Sequence, residues 1–488
     1  MKEGDILVIC LILCCICSLQ AIVASDLDNT SIKATDNDVV SIENVSACSL
    51  HGADDALKDS ENAKNFTYLK DNLDNGDFAN YNYTWEEGDP TDGIVLNGQL
   101  TLNGEGKVII DAKNNARIFK IAQEANITLK GITFINGNAT VQETPRNGGA
   151  VLANGEVYIE GCNFYNNTAT NGNGGAIAFD VNAKNCKIID STFYNNSAHF
   201  NGGAINFDEG STNNTIKNSE FINNTVYGDG GAINFDHGAD LCSVYNSTFT
   251  NNTALGRFGL TSKGVTICIV CNNVTIKDST FTLSAVYANT TENAKENETC
   301  GGAMFVTGNF TVITNCTFDK SYSVEDGGAL YVIGDECKLY NSTFTNNTAG
   351  DDGGAIYWTG ENGLIYNITC MLNNAIGRGT STSKGGAVAL IGNYVVLTKS
   401  KFEMNSAIVD GGSIYATGNH VNITETTFFK SNVTFGTNTN LVYGGGSIYV
   451  LGNFSNIINC SFDRTNAKRV CKISSSFQKI FRNFRFYC

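Results

Sequence analysis

Proline is almost absent from this chain, with two residues in 488, and charged residues make up only 16%. Histidine is scarce at four, and cations are outnumbered, 32 Lys and Arg against 48 Asp and Glu. Scarce charge beside 42% hydrophobic residues excludes a disordered chain. The net charge of −16 argues against nucleic acid or an anionic membrane surface as a partner. Beyond the first 25 residues no run is long and apolar enough to span a bilayer. What is abundant is glycine, at 51, with Val, Ile, Phe and Tyr, the residues of strands.

The N-terminus reads as a signal peptide over 1–25. Lys2 precedes an apolar run from Ile6 to Cys17, and small residues (Ala21, Ala24, Ser25) stand near a cleavage point. Glu3 and Asp5 keep an uncleaved anchor open as the alternative. The expected location is extracellular, at the cell surface.

Two landmarks then recur. A glycine pair followed by Ala or Ser begins at Gly148, Gly174, Gly202, Gly230, Gly301, Gly327, Gly353, Gly385, Gly411 and Gly445, with a degenerate copy at Gly264. An aromatic slot recurs at Phe134, Phe164, Phe193, Phe221, Phe249, Phe281, Phe318, Phe344, Phe402, Phe428 and Phe462, with Cys370 filling it once. From glycine pair to aromatic the spacing is 16 once, 19 three times and 17 seven times; from aromatic to the next pair it ranges from 9 to 20. One interval is locked and the other accepts insertions, which is how a solenoid behaves when loops leave from one edge. The shortest repeat, 26 residues, accommodates three short strands and three turns. The copies lack a helix-length amphipathic stretch, which sets aside helical and leucine-rich repeats. Asparagine pairs after the aromatic suit turns, because Asn tolerates the left-handed region and stacked Asn side chains can bond from coil to coil. The expected fold is therefore all-β: a right-handed parallel β-helix of about a dozen coils over 93–467. An N-terminal linker and cap over 26–92 precedes it, and a basic tail over 468–488 follows.

The pairing of GGAI or GGAIY with F-x-N-N, as in STFTNNTAGDDGGAIY, resembles the β-helical repeats of bacterial polymorphic membrane proteins. It is still more similar to adhesin-like surface proteins of methanogenic archaea. The segment FTYLKDNLDNGD, then YNYTWEEGD, then GIVLNGQLTLNGEGKVIIDAKNNARIFKI is similar to their cap and first coils, so the resemblance runs from Phe66 to Ala467. It implies a pectin lyase-like fold and a surface location, and it assigns no ligand. Family members usually continue into further modules or an anchor. Here a tail with Lys468, Arg469, Lys472, Lys479, Arg482 and Arg485 follows a half-finished coil. The expectation is a truncated or frame-shifted end; a short cap built on Phe477, Ile480, Phe481 and Phe484 is the alternative.

The chemical candidates are few. Asp180, Asp208 and Asp236 hold the same repeat position in the three coils with the longer locked interval. Carboxylates one strand apart repel unless a cation or hydrogen bonds intervene, so a calcium site or a glycosidase-like cluster is one reading. The preferred reading is a turn, each Asp accepting from its own backbone. A second acidic column, Asp229, Asp326, Asp352 and Asp410, precedes the glycine pair; Asn147, Asn173 and Asn201 replace it earlier, which favours a turn role. An enzyme acting on acidic polysaccharide would need cations around its substrate. Arg257 and Arg378 lie in insertions, and His51, His199, His237 and His420 share no motif. No enzyme activity, cofactor or metal is expected. Cysteines in shared registers (Cys186, Cys242, Cys337; Cys162, Cys316, Cys460) are expected as free thiols in core slots, and Cys268-x-x-Cys271 is a lone zinc or disulfide signal. Insertions at 255–262, 284–299, 376–384 and 434–443 should project from one edge and form a contact surface for cell-surface glycans or other cells. The leading function is thus an adhesin-like surface protein, with a polysaccharide-active enzyme or a purely structural envelope protein as alternatives.

Overall fold

A computed structural model describes residues 63–74, 76–139, 146–256, 263–286, 300–377, 383–434, 444–465 and 486–487. The signal segment, the linker over 26–62, most of each insertion and the tail over 468–485 lie outside the described residues, as do His51, Arg257 and Arg378.

The repeats form an all-β parallel β-solenoid of about 11 turns, as the two-interval pattern predicts. From the coil of Val151–Ala153 to that of Ile414–Ala416, each lays strands on three sheets. Sheet B takes the strand after the glycine pair, such as Ile177–Phe179 and Ile205–Phe207. Sheet A takes two strands, such as Lys187–Ile189 and Thr192–Tyr194, the second carrying the aromatic slot. Sheet C takes a two-residue strand, such as Ser197–Ala198. The strands pair in parallel, with one register shift between Asn103 and Val108, and the slot residues align: Phe193 pairs with Phe164 on one side and Phe221 on the other.

That register stacks the slot aromatics. From Phe134 to Phe344, eight rings lie face to face at 4.7–4.8 Å; Cys370 interrupts the stack, which resumes at Phe402. Phe179, Phe207 and Phe235 form a second stack from sheet B. Each ring pair adds ~0.5–1.5 kcal/mol beyond the area it buries.

The asparagine pairs divide their labour. The first of each, Asn166, Asn195, Asn223, Asn251 and Asn346, adopts the left-handed region with φ of 52–55°. The second is fully buried and bonds to the next coil: Asn167 Nδ2 to Asn196 Oδ1 at 3.0 Å, Asn196 to Asn224 at 3.0 Å, Asn224 to Asn252 at 2.9 Å. The pair at 373–374 stands one residue later relative to its slot, Cys370. Leu372 takes the left-handed position there, and Asn373 is the ladder residue. The glycine pair divides likewise. Gly202 has φ +66°, and a Cβ on Gly203 would stand 2.0 Å from Gly231 O.

At the N-terminal end the short helix Phe66–Asp71 buries Phe66 and Leu69 on the core. Asp89 holds its first turn, accepting from the backbone N–H groups of Phe66, Thr67 and Glu86 at 2.9–3.0 Å. The cap also contributes strands Lys64–Asn65 and Tyr83–Thr84, which pair in parallel and extend sheet A ahead of residue 93. At the other end Phe486–Tyr487 pairs with Phe462 and Asp463. Among the described residues no helix is long and apolar enough to cross a membrane.

Candidate functional site

Alternation along each sheet B strand sends the first and third residues into the core and the middle one outward. The outward column changes character along the stack. In the coil that follows Gly327 it is Tyr331, stacked on Phe305 at 5.3 Å and on Tyr357 at 4.8 Å. Further on, Tyr415 lies 5.8 Å from Tyr449, and Lys384 holds its ammonium 5.0 Å over the Tyr415 ring. Phe305, Tyr331, Cys268 and Cys300 pack as a cluster separate from the main core.

Beside this column runs the acidic one. Each carboxylate accepts the backbone N–H of the matching residue one coil on: Asp229 from Lys263 at 2.7 Å, Asp326 from Asp352 at 2.9 Å, Asp352 from Lys384 at 2.8 Å, Asp410 from Gly444 at 2.9 Å. Asn147 and Asn173 make the same bond with their amide oxygens. These residues are turn-to-turn links. Their acidity is nonetheless shifted: burial, then the charges of Asp351 and Asp326, push the Asp352 carboxyl up to about 8, against the pull of Lys384. Burial likewise raises Asp326 to about 7, and Asp229 and Asp410 to about 6.

All four insertions are rooted at the corner between sheets C and B, next to these columns. They leave after Thr253–Ala254, Ala285–Val286, Asn374–Ala375 and Asn432–Val433, and the chain re-enters at Lys263, Cys300, Lys384 and Gly444. The common edge expected for them is therefore where they depart.

Asp180, Asp208 and Asp236 open the long turns after sheet B. Asp180 and Asp236 accept from the following N–H groups, of Val181 and His237, each at 2.8 Å, which is the turn role. Asp208 is more enclosed. Burial, then the charges of Asp236 and Asp180, raise it to about 6. The three form a column, and among the described residues no three His, Cys, Asp or Glu side chains are grouped to hold a metal ion. His237 meets Asp236 through its backbone N–H. His199 packs on Phe200 and Tyr227, and His420 stacks between Tyr394 and Phe454, so the three described histidines stay apart.

The ten described cysteines are free and buried. The pair at Cys268 and Cys271 is not a zinc or disulfide unit. One thiol packs outside sheet B with Cys300 and Phe305, and the other in the main core.

The outward tyrosines were absent from the residues singled out by sequence. Their signal was the alternation itself, since GGALYV, GGAIYW, GGSIYA and GGSIYV all place Tyr between two inward residues.

Among family models, the repeat of the Chlamydia polymorphic membrane protein matches residues 190–208, 218–236 and 341–357. No curated protein sequence matches the chain. Among solved structures it is similar to the Agl-KA catalytic domain, at 12% identity and a TM-score of 0.40, over 80% of this chain and 65% of that one. A tailspike double mutant of E. coli bacteriophage HK620 follows at 10% and 0.34, over 83% and 67%. The catalytic unit of a thermostable GH87 alpha-1,3-glucanase from Streptomyces thermodiastaticus strain HF3-3 stands at 12% and 0.34, over 84% and 68%. The match thus spans just under two thirds of the first of these chains.

Proposed function

We propose that this chain is an adhesin-like surface protein whose solenoid binds carbohydrate on other cells along the corner between sheets C and B. The observation that carries the reading is positional. Four insertions depart from one corner, beside an outward row that includes Tyr331, Tyr357, Tyr415 and Tyr449 and the Lys384 ammonium. Aromatic side chains with nearby charged and hydroxyl groups suit a ligand with apolar ring faces and polar edges. The polymorphic membrane protein repeat supports a surface location. Binding is preferred to hydrolysis because each carboxylate of the adjoining column spends an oxygen on the next coil's N–H. Such a group is held as scaffold, whereas a general acid must be free to reach its substrate.

The test is a glycan array probed with the full chain, run beside a reducing-sugar and unsaturated-product assay on the glycans retained. Retention without product, weakened at least tenfold in Tyr415→Ala and Lys384→Ala, is the expected result. Product release would replace this reading with an enzyme, and no retention on any glycan would leave a structural envelope role.

A further inference from the structure

The triplet Asn-x-Ser/Thr, the acceptor for N-linked sugars, occurs 24 times in the chain. Many copies are by-products of the turns, where a left-handed Asn and a ladder Asn precede a strand that opens on Thr or Ser. The triplet alone therefore selects no site. The fold does, because transfer needs the Asn amide and the hydroxyl two residues on, both within reach of an enzyme.

Four copies present both groups. Asn166, Asn273, Asn341 and Asn459 stand exposed at turns, with φ of 55°, 58°, 48° and 54°. Among the described residues, the Nδ2 of each donates to no protein group. Asn166 and Asn341 only accept, from Asn195 Nδ2 at 2.7 Å and Asn367 Nδ2 at 2.8 Å. Their hydroxyl partners, Thr168, Thr275, Thr343 and Ser461, each open a strand from the side facing away from the core.

Four other copies are closed. Thr67 Oγ1 donates to Asp89 Oδ1 at 2.5 Å, while Asn65 Oδ1 caps the helix by accepting from the Tyr68 N–H at 2.8 Å. Asn82 Oδ1 accepts from the Ile109 N–H at 2.9 Å, and Thr84 Oγ1 is buried. After Asn309 and Asn453 the partners Thr311 and Ser455 are buried, and their hydroxyls donate to Gly308 O at 3.2 Å and Gly418 O at 3.4 Å.

We propose that Asn166, Asn273, Asn341 and Asn459 carry N-linked glycans and that Asn65, Asn82, Asn309 and Asn453 do not. The donor is an oligosaccharide carried on a lipid pyrophosphate. Asn Nδ2 bonds to the anomeric carbon as the bond from that carbon to the pyrophosphate oxygen breaks. The lipid pyrophosphate leaves with the electron pair, and the amide nitrogen gives up one proton. Sorting by the fold also means that transfer follows the stacking of the coils. Asn166 lies between sheets A and C, Asn273 between sheets B and A, and Asn341 and Asn459 within sheet A. Sugars on these four therefore leave the corner between sheets C and B open. The inference rests on the surface-protein reading, because such transfer acts on exported chains.

The test is glycopeptide mass spectrometry on the full chain, isolated from the surface and from the interior of its source cells. Glycan mass is expected at the four open triplets of the surface chain and at none of the four closed ones. Thr275→Ala should lose the glycan at Asn273 alone, and Thr275→Ser should keep it. Equal occupancy of open and closed triplets, or a glycan at Asn273 that survives Thr275→Ala, would overturn the proposal. An unmodified chain at the cell surface would overturn it too and leave the surface reading standing. An unmodified chain confined to the interior would overturn both.

Discussion

Asn224 joins the coil before it twice: its Oδ1 accepts the backbone N–H of Asn196 at 3.0 Å and the Asn196 side-chain Nδ2 at 3.0 Å. Its own Nδ2 donates to Phe193 O and to Asn252 Oδ1. One buried side chain therefore satisfies groups in both neighbouring coils, and it does so inside the turn that the left-handed Asn223 creates. The asparagine pair is a single device in which one residue bends the chain and the other ties the bend to its neighbours.

Removing that tie should cost stability locally. Asn224→Ala strands the Asn196 N–H, a loss of about 2–3 kcal/mol. Asn224→Ser should cost less, because Ser284, Ser321 and Ser431 hold this position in other coils. A solenoid opens rung by rung, so hydrogen exchange is the measurement. Protection should fall for amides in 190–252 and hold in 396–433. A uniform loss along the chain would contradict the ladder as a local tie.

The glycine pair makes a sharper prediction through sterics. Gly203→Ala places a Cβ 2.0 Å from Gly231 O, in a stack with no room to shift. Gly161→Ala meets nothing within 4 Å and pays only for its left-handed φ of +60°, about 1–2 kcal/mol. Expression should yield folded Gly161→Ala and little or no soluble Gly203→Ala, read by circular dichroism and limited proteolysis. Equal behaviour of the two would mean that the second glycine is not there for space.

Most of the fold was legible because its cause is periodic. A locked spacing between Gly202 and Phe221 can only be kept if strands stack in register, and Phe193, Phe221 and Phe249 do so. The asparagine pair at 373–374 stands one position later than the others, because left-handed φ falls two residues after the slot whatever residue stands there, here Leu372. The site was less legible. That Tyr357 and Tyr415 point outward follows from alternation, but that Asn206 is fully buried follows from its place between Ala178 and Asn234 in adjacent coils. Such a relation spans 28 residues on each side and leaves no local mark.

The thiols give a chemical readout of packing. Burial pushes Cys162, Cys186, Cys242, Cys300 and Cys316 up to about 12, and Cys337 to about 11. The reactive species is the thiolate, so the ten described cysteines should resist iodoacetamide at pH 8 in the folded chain and alkylate fully in urea. Cys460, in the last described coil, should be the first to react as denaturant is raised. Peptide mapping checks each site; prompt alkylation of Cys162 or Cys242 without denaturant would refute the packing.

The acidic column makes stability depend on pH with a sign opposite to that of paired carboxylates. Asp352 titrates at about 8 and Asp326 at about 7 in the folded chain, against about 4 when unfolded. Between those values the folded state holds protons that the unfolded state has released, so stability falls as pH rises from about 4 to 8. Asp352→Asn keeps the oxygen that accepts from the Lys384 N–H and removes the buried charge, as Asn147 and Asn173 do in their own coils. The variant should therefore be the more stable at pH 8.5, by on the order of 1 kcal/mol, with little difference at pH 4. Urea denaturation of both chains at the two pH values measures this, and the difference between them isolates Asp352 from the other carboxylates. Parallel pH profiles would mean that the Asp352 carboxylate is as well solvated folded as unfolded, and the column would then be an ordinary surface turn.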